Sequence, residues 1–155
     1  MSRRSRCCWL PLCLLLFGLV VAPDIAQGTI YVSKLLPGTG ASWASPLNTI
    51  GAAIAAASPG EEVWVQRGNY PELIVVPPNG IKIYGGFHGW ESALTDRNWR
   101  TNPTVIDGTG LGGPVVTILP GLSPMSTAID GFVIKGGNNP AGVGGGVSIV
   151  GGLAL

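Results

Sequence analysis

The sequence predicts an all-β chain: a solenoid of short parallel strands wound in repeating coils, closed at its N-terminal end by one short α-helix. Three observations predict it. Val63, Ile83, Ile106, Ile129 and Ile149 recur at spacings of 20, 23, 23 and 20, and two of them head the identical tripeptides Ile106-Asp107-Gly108 and Ile129-Asp130-Gly131. A period of this size marks a stack in which each turn lays its apolar residue on the one below. The composition is the second observation. Of the 155 residues 46% are apolar and only 11% charged, with 25 glycines and 13 prolines, whereas ordinary domains carry about 25% charge and about 7% glycine. Short strands joined by glycine corners suit that balance better than helices with charged faces. The third observation is a single alanine-rich amphipathic stretch near the start, which reads as a lid over the first turn.

Residues 1–28 read as a signal peptide and stand apart from the fold. Arg3, Arg4 and Arg6 form a basic start, residues 10–22 are an apolar run, and the segment ends at Ala26-Gln27-Gly28, with small residues where a signal peptidase reads. A membrane anchor would need roughly 20 apolar residues, and this run is shorter. Cys13 follows Pro11-Leu12 rather than small residues, which argues against a lipoprotein signal. The expected product is secreted or held at the cell surface, with no membrane span after cleavage. All three cysteines lie inside the segment, so neither disulfides nor a cysteine metal site support the exported chain.

Residues 29–62 are expected to hold an N-terminal strand and the capping helix. Thr29-Ile30-Tyr31-Val32 is built of β-formers, and Pro37-Gly38-Thr39-Gly40 breaks it. Ser45-Pro46 suits a helix start, serine as cap and proline in the first turn. Leu47, Ile50, Ile54 and Ala57 then follow at helical spacing as one apolar stripe, which Ser58-Pro59-Gly60 ends.

Residues 63–155 are expected to be the turns of the coil. Val63-Trp64-Val65, 73–76, 81–84, 104–106, 115–118, 129–134 and 147–150 are β-rich runs bounded by Gly, Pro, Asn or Asp, as short strands should be. Val115-Val116-Thr117-Ile118 is a continuous apolar run of the kind that parallel strands show when both faces are covered. The last repeated isoleucine is followed closely by Gly151-Gly152-Leu153-Ala154-Leu155. The coil therefore reads as incomplete, with no C-terminal cap and an open edge around 147–150.

Several stretches resemble a known family. The segment from Leu47-Asn48-Thr49-Ile50 to Ala57, then Pro59-Gly60-Glu61-Glu62-Val63-Trp64-Val65 and Gly68-Asn69-Tyr70, is similar to the N-terminal cap of right-handed parallel β-helix proteins, the pectin-lyase-like superfamily. Ile83-Tyr84-Gly85-Gly86-Phe87-His88-Gly89-Trp90-Glu91, Asn102-Pro103-Thr104-Val105-Ile106-Asp107-Gly108 and Asp130-Gly131-Phe132-Val133-Ile134 extend the likeness. They resemble the repeats of bacterial polymorphic outer-membrane proteins. The resemblance implies a right-handed parallel β-helix over residues 29 to about 152 and implies no particular reaction.

Counted from Thr29, six Lys/Arg stand against seven Asp/Glu. A net charge of about −1 without a basic cluster excludes nucleic acid as the natural partner. Asp107 and Asp130 occupy equivalent places in the two tripeptides, so a coil would stack their carboxylates at roughly 5 Å. Such a pair is a weak candidate for Ca2+ or for acid–base work; Asp-Gly is also ordinary corner chemistry, and that reading outweighs the site. Arg97 and Arg100 flank Trp99. Arginine serves as base in some β-helix lyases, but here the segment reads as a solvated loop with no acidic group around it, tied to the coil by Trp99. Trp90 and Trp99 lie in one loop region with Tyr84 and Phe87 nearby and form the candidate platform for sugar rings, whereas Trp64 reads as packing. His88 is the only histidine and has no evident partner. No nucleophile motif, phosphate loop or His-based metal spacing is present.

The candidate ligand-binding residues are thus Trp90, Trp99, Asp107 and Asp130, with no catalytic or metal residue and no firm cofactor. The expectation is a non-catalytic secreted or cell-surface β-helix module, a fragment, with carbohydrate or cell-surface components as partners in adhesion or glycan contact. The alternative is the N-terminal part of a polysaccharide lyase or glycoside hydrolase whose catalytic residues lie beyond residue 155.

Overall fold

A computed structural model of the chain describes residues 28–121, 126–140 and 144–151. The expected signal peptide, apart from Gly28, lies outside the described residues. The elements run β1 Thr29–Val32, α1 Ile50–Ala56, β2 Glu62–Gln66, β3 Gly68–Tyr70, β4 Ile74–Val76, β5 Lys82–Phe87, a 3-10 turn Leu94–Asp96, β6 Thr104–Asp107, β7 Val116–Ile118, β8 Ala128–Asp130, β9 Phe132–Lys135 and β10 Val147–Ile149. The strands form three small sheets, in the orders β1-β2-β5-β8, β3-β6-β9 and β10-β7-β4. Every pairing between them is parallel. Because parallel neighbours cannot be joined by a tight hairpin, β1 reaches its neighbour β2 through the segment that holds α1, and from β2 onward consecutive strands belong to different sheets, with a corner between them.

The regular solenoid expected from the 20-to-23 ladder is not the architecture found: these are ten short strands in three small sheets, with no fixed period. Ile30, Val63, Ile83 and Ile129 are cross-strand partners in the first sheet, at separations of 33, 20 and 46 residues. Ile106 belongs to the second sheet, between Tyr70 and Ile134, and Ile149 to the third, beside Ile118. Loops of unequal length separate the strands, so equal spacing in sequence does not mean stacking in space. Residues 129–134, read as one strand, are two. Gly131, at φ +81°, turns the chain between β8 and β9 and so carries it from the first sheet to the second. The two Ile-Asp-Gly tripeptides therefore occupy different corners.

The helix is also shorter than the sequence suggested. Its N-cap is Thr49, whose hydroxyl accepts from the Ala52 amide at 3.1 Å, while Ser45 instead accepts from the Thr39 amide at 3.0 Å. The Ile50 and Gly51 amides donate to the Glu72 carboxylate at 3.0 and 2.9 Å. A carboxylate brought in from the segment between β3 and β4 thus satisfies two amides that a helix start leaves open and fastens α1 to the sheets. Ile50, Ala53 and Ile54 are its buried face. They join Val63, Val65, Ile83, Tyr70, Ile106, Val76 and Val116, residues of all three sheets, in one core. Among the described residues no helix is long and apolar enough to cross a membrane.

A candidate carbohydrate-contact site

Between β5 and β6 the chain leaves the sheets for residues 88–103 and returns. Two short polar turns set the shape of this excursion. In the first, the Glu91 side chain folds back and accepts from the His88, Gly89 and Trp90 amides at 2.6, 2.8 and 3.0 Å. Burial pushes the Glu91 carboxyl up, but its backbone hydrogen bonds outweigh that and hold it below the usual carboxylate range. The Glu91 carbonyl also accepts from the Trp43 indole at 3.0 Å. Trp43 belongs to an aromatic group with Tyr31, Trp64 and Phe87, in which Trp64 lies almost flat on Phe87 at 4.6 Å. Trp43 and Trp64 are therefore packing residues, and Trp43 anchors the turn that holds Trp90 out. Trp90 is 71% exposed and stacks on His88, at 3.5 Å between ring centres.

In the second turn, Asn98 accepts on its side-chain oxygen from the Arg100 and Thr101 amides at 3.1 and 3.2 Å. Its backbone N–H donates to the Gly86 carbonyl at 2.9 Å. The segment approaches β5 so closely that a Cβ on Gly86 would lie 2.7 Å from the Trp99 Cα. Gly86 also has φ +93°, so glycine is required there twice over. The result is that Trp99 is fixed by its backbone while its ring stands 52% exposed, with the Arg100 guanidinium 4.9 Å above it.

Arg97 enters from the same turn and lies over the Tyr84 ring at 5.0 Å. Its guanidinium donates to the Gly85 carbonyl at 3.1 Å and forms an ion pair with Asp130 at the corner after β8. The loop expected to lack an acidic neighbour is thus tied to one that the sequence places 33 residues away. Two shallow grooves meet at Trp99. One, of about 280 Å³, is lined by Trp99, Asp130, Gly131, Phe132 and Val133. The other, of about 350 Å³, is lined by Leu94, Thr95, Arg97 and Trp99.

Of the four residues singled out from the sequence, Trp99 and Asp130 come together. Trp90 lines neither groove, although it belongs to the same excursion. Asp107 is elsewhere. Its cross-strand partner is Lys135, not Asp130, so the expected carboxylate stack does not exist. The Asp107 carboxylate takes the Thr109 hydroxyl at 2.6 Å and amide at 3.1 Å, and the Lys135 ammonium at 3.0 Å. The Thr109 hydroxyl first, then Lys135, holds it far below the usual carboxylate range. It is a corner and ion-pair residue. Ca2+ between Asp107 and Asp130 has no geometric basis, and among the described residues no three His, Cys, Asp or Glu cluster as metal ligands would. Sequence reasoning weighed Arg97 and set it aside as part of a solvated loop, and it missed Phe132 and Val133 as groove residues and Glu91 as the brace of the Trp90 turn. Only Glu91 left a local trace, in the short Gly89-Trp90-Glu91 turn.

An exposed indole flanked by a carboxylate and a guanidinium is suited to a sugar ring: the apolar face meets the indole, and hydroxyls meet the fixed charges. No family model, no curated protein and no solved structure matches the chain. Its functional reading rests on this chemistry.

Proposed function

We propose that the chain is a non-catalytic secreted or cell-surface module that contacts carbohydrate across Trp99. The basic and apolar character of residues 1–28 supports export. The observation that carries the ligand class is the half-exposed Trp99 ring between two grooves, with Arg97 lining one and its ion-pair partner Asp130 lining the other. Both charges are held by protein partners before any ligand arrives, so hydroxyls meet preset hydrogen-bonding groups and binding orders little of the protein. The same commitment favours binding over chemistry, since Arg97 is a donor bound to Gly85 and Asp130, and the Asp130 carboxylate is taken up by Arg97.

The test is a glycan array followed by calorimetric titration of the best neutral and acidic oligosaccharides. An aromatic contact contributes about 0.5–1.5 kcal/mol beyond its area, and a tenfold change in affinity is about 1.4 kcal/mol. Trp99→Ala should therefore weaken binding about tenfold or more, whereas Asp107→Asn, outside the grooves, should leave it unchanged. Equal binding by the wild type and Trp99→Ala would remove the basis of the proposal. Turnover of a glycan would replace it with an enzymatic one.

A further inference from the structure

We infer that the chain rests on anionic lipid surfaces through the corner at the C-terminal ends of β1, β2 and β5. Val32 pairs with Val65 and Gln66 with Phe87. Lys34, Arg67 and His88 therefore follow one another across three adjoining strands, roughly 5 Å apart along the row. The row is tied together: the Ser33 hydroxyl donates to the Gln66 side-chain oxygen, and the Gln66 side-chain amide donates to the His88 carbonyl. Two projections flank it. Residues 34–39, Lys-Leu-Leu-Pro-Gly-Thr, are exposed throughout, with Leu35 77% and Leu36 57% accessible. Trp90 stands out on the other side, stacked on His88. Of the large hydrophobic side chains among the described residues, only Ile149 matches Leu35 and Trp90 in exposure. Both projections have fixed bases. The Leu35 amide donates to the Ser33 hydroxyl at 3.2 Å, and the Tyr31 amide donates to the Gly40 carbonyl at 2.9 Å where the loop closes. The Glu91 turn carries Trp90.

The free charge at this corner is positive. Of the six Lys/Arg from Thr29 onward, Arg97 and Lys135 are held in ion pairs. Lys34 and Arg67 are exposed and have no carboxylate partner among the described residues. The Lys34 ammonium lies 5.4 Å over the Tyr70 ring. The acids of the adjoining excursion are taken by amides, Glu91 by three and Asp96 by that of Ala93. All these residues belong to the unbroken described stretch 28–121, at the end of β1 opposite to residue 28.

Leucine side chains offer a partner only apolar area, which gains by leaving water. Tryptophan favours the membrane–water interface, where one end of the ring is apolar and the other wet. Lys and Arg beside such groups meet the phosphates of anionic lipids. A protein partner would need about 800 Å² of surface on each side, and two separate projections do not form one. A fluid headgroup layer closes around separate tips. The occupant is therefore a bilayer surface of net negative charge. The corner shares no residue with the grooves at Trp99, so this inference and the carbohydrate reading can fail separately.

Cosedimentation with vesicles tests it, one set of pure phosphatidylcholine and one of phosphatidylcholine and phosphatidylglycerol in equal parts. The chain from Gly28 is used, because it holds every described element and the whole shared core, while the apolar run at 10–22 would bind lipid by itself. It should partition onto the anionic set at least tenfold more strongly than onto the neutral one, and less at high salt. Leu35→Ser with Leu36→Ser should lower that partition about tenfold or more. Lys34→Gln with Arg67→Gln should do the same. Val75→Ser, exposed on β4, should leave it unchanged. Tryptophan emission should shift to the blue on the anionic vesicles, and the shift should vanish in Trp90→Phe. Circular dichroism of each variant checks that the fold is retained. A wild type that does not partition, a partition undiminished in either paired variant, or a blue shift that survives Trp90→Phe would overturn the inference. A lipid-free dimer that the leucine pair breaks would assign the corner to a second copy instead.

Discussion

Glu91 shows how a single side chain sets the surface that a partner meets. Three amides converge on a carboxylate that is nearly buried, and the turn they make holds Trp90 away from the sheets. Hydrogen bonds to a charged acceptor are stronger than neutral ones. Because the folded-state carboxyl titrates below its ordinary 4.5, its stabilising contribution is complete above that value. It is lost as pH falls through the lower folded value. Trp90 fluorescence should therefore be flat from neutral pH down to the ordinary carboxylate range and change only in more acidic solution. Glu91→Gln, which keeps the shape but weakens the acceptor, should abolish that acid transition and lower stability by about 1–3 kcal/mol, read by urea unfolding. An acid transition unchanged in Glu91→Gln would assign it to another group. At this scale the sequence was legible where the chemistry is local: Trp90 and Trp99 stand in polar, turn-rich surroundings and are exposed. The Arg97–Asp130 pair was hidden, since nothing in either neighbourhood announces a partner 33 residues away.

The excursion from 88 to 103 works as a unit because it is docked, not because it is regular. Its docking point is Gly86, where Asn98 and Asn102 both donate to one carbonyl, at 2.9 and 3.4 Å. The Thr104 hydroxyl accepts from the Gly86 amide at 2.9 Å. Gly86→Ala would put a methyl group against the Trp99 backbone and force a positive φ on a residue with a Cβ. It should lower the stability of the fold by about 1–3 kcal/mol and weaken glycan binding as much as Trp99→Ala does, although no atom of Gly86 lines a groove. Thermal melting and the same titration read both effects, and a Gly86→Ala protein that bound normally would show that the segment is not held at this point. Among the elements, the β-rich runs at 115–118 and 147–150 contain β7 and β10. Their pairing was not legible, because parallel partners in this chain lie 20 to 46 residues apart with loops of unequal length between them. An Asp-Gly corner looks the same in sequence whichever two sheets it joins. Strand β3 was hidden for another reason: Gly68-Asn69-Tyr70 has a single β-former, and Tyr70, fully buried, makes the strand by packing rather than by propensity.

The three sheets share one interior, and this decides how the whole molecule comes apart. Val63 and Ile83 of the first sheet, Tyr70 and Ile106 of the second, and Val76 and Val116 of the third belong to one continuous cluster. Ile106 is fully buried in the middle strand of its sheet, between Tyr70 and Ile134. Cutting it back to alanine removes methyl groups from a site with neighbours on every side, and such truncations cost about 2–5 kcal/mol. Because no sheet has a core of its own, that loss should appear in all three at once. Ile149, in the same chain but exposed on the rim, should lose no more than about 0.5 kcal/mol when changed to alanine. Amide exchange adds the spatial test. The inner strands β2, β5, β6 and β7 should exchange only by global unfolding and accelerate together in Ile106→Ala. The rim strands β8, β9 and β10 each pair on one side among the described residues and have no buried residue, so they should exchange through local opening and respond much less. If Ile106→Ala released the second sheet alone, with β2, β5 and β7 still protected, the sheets would be separate folding units and the single shared core would be wrong.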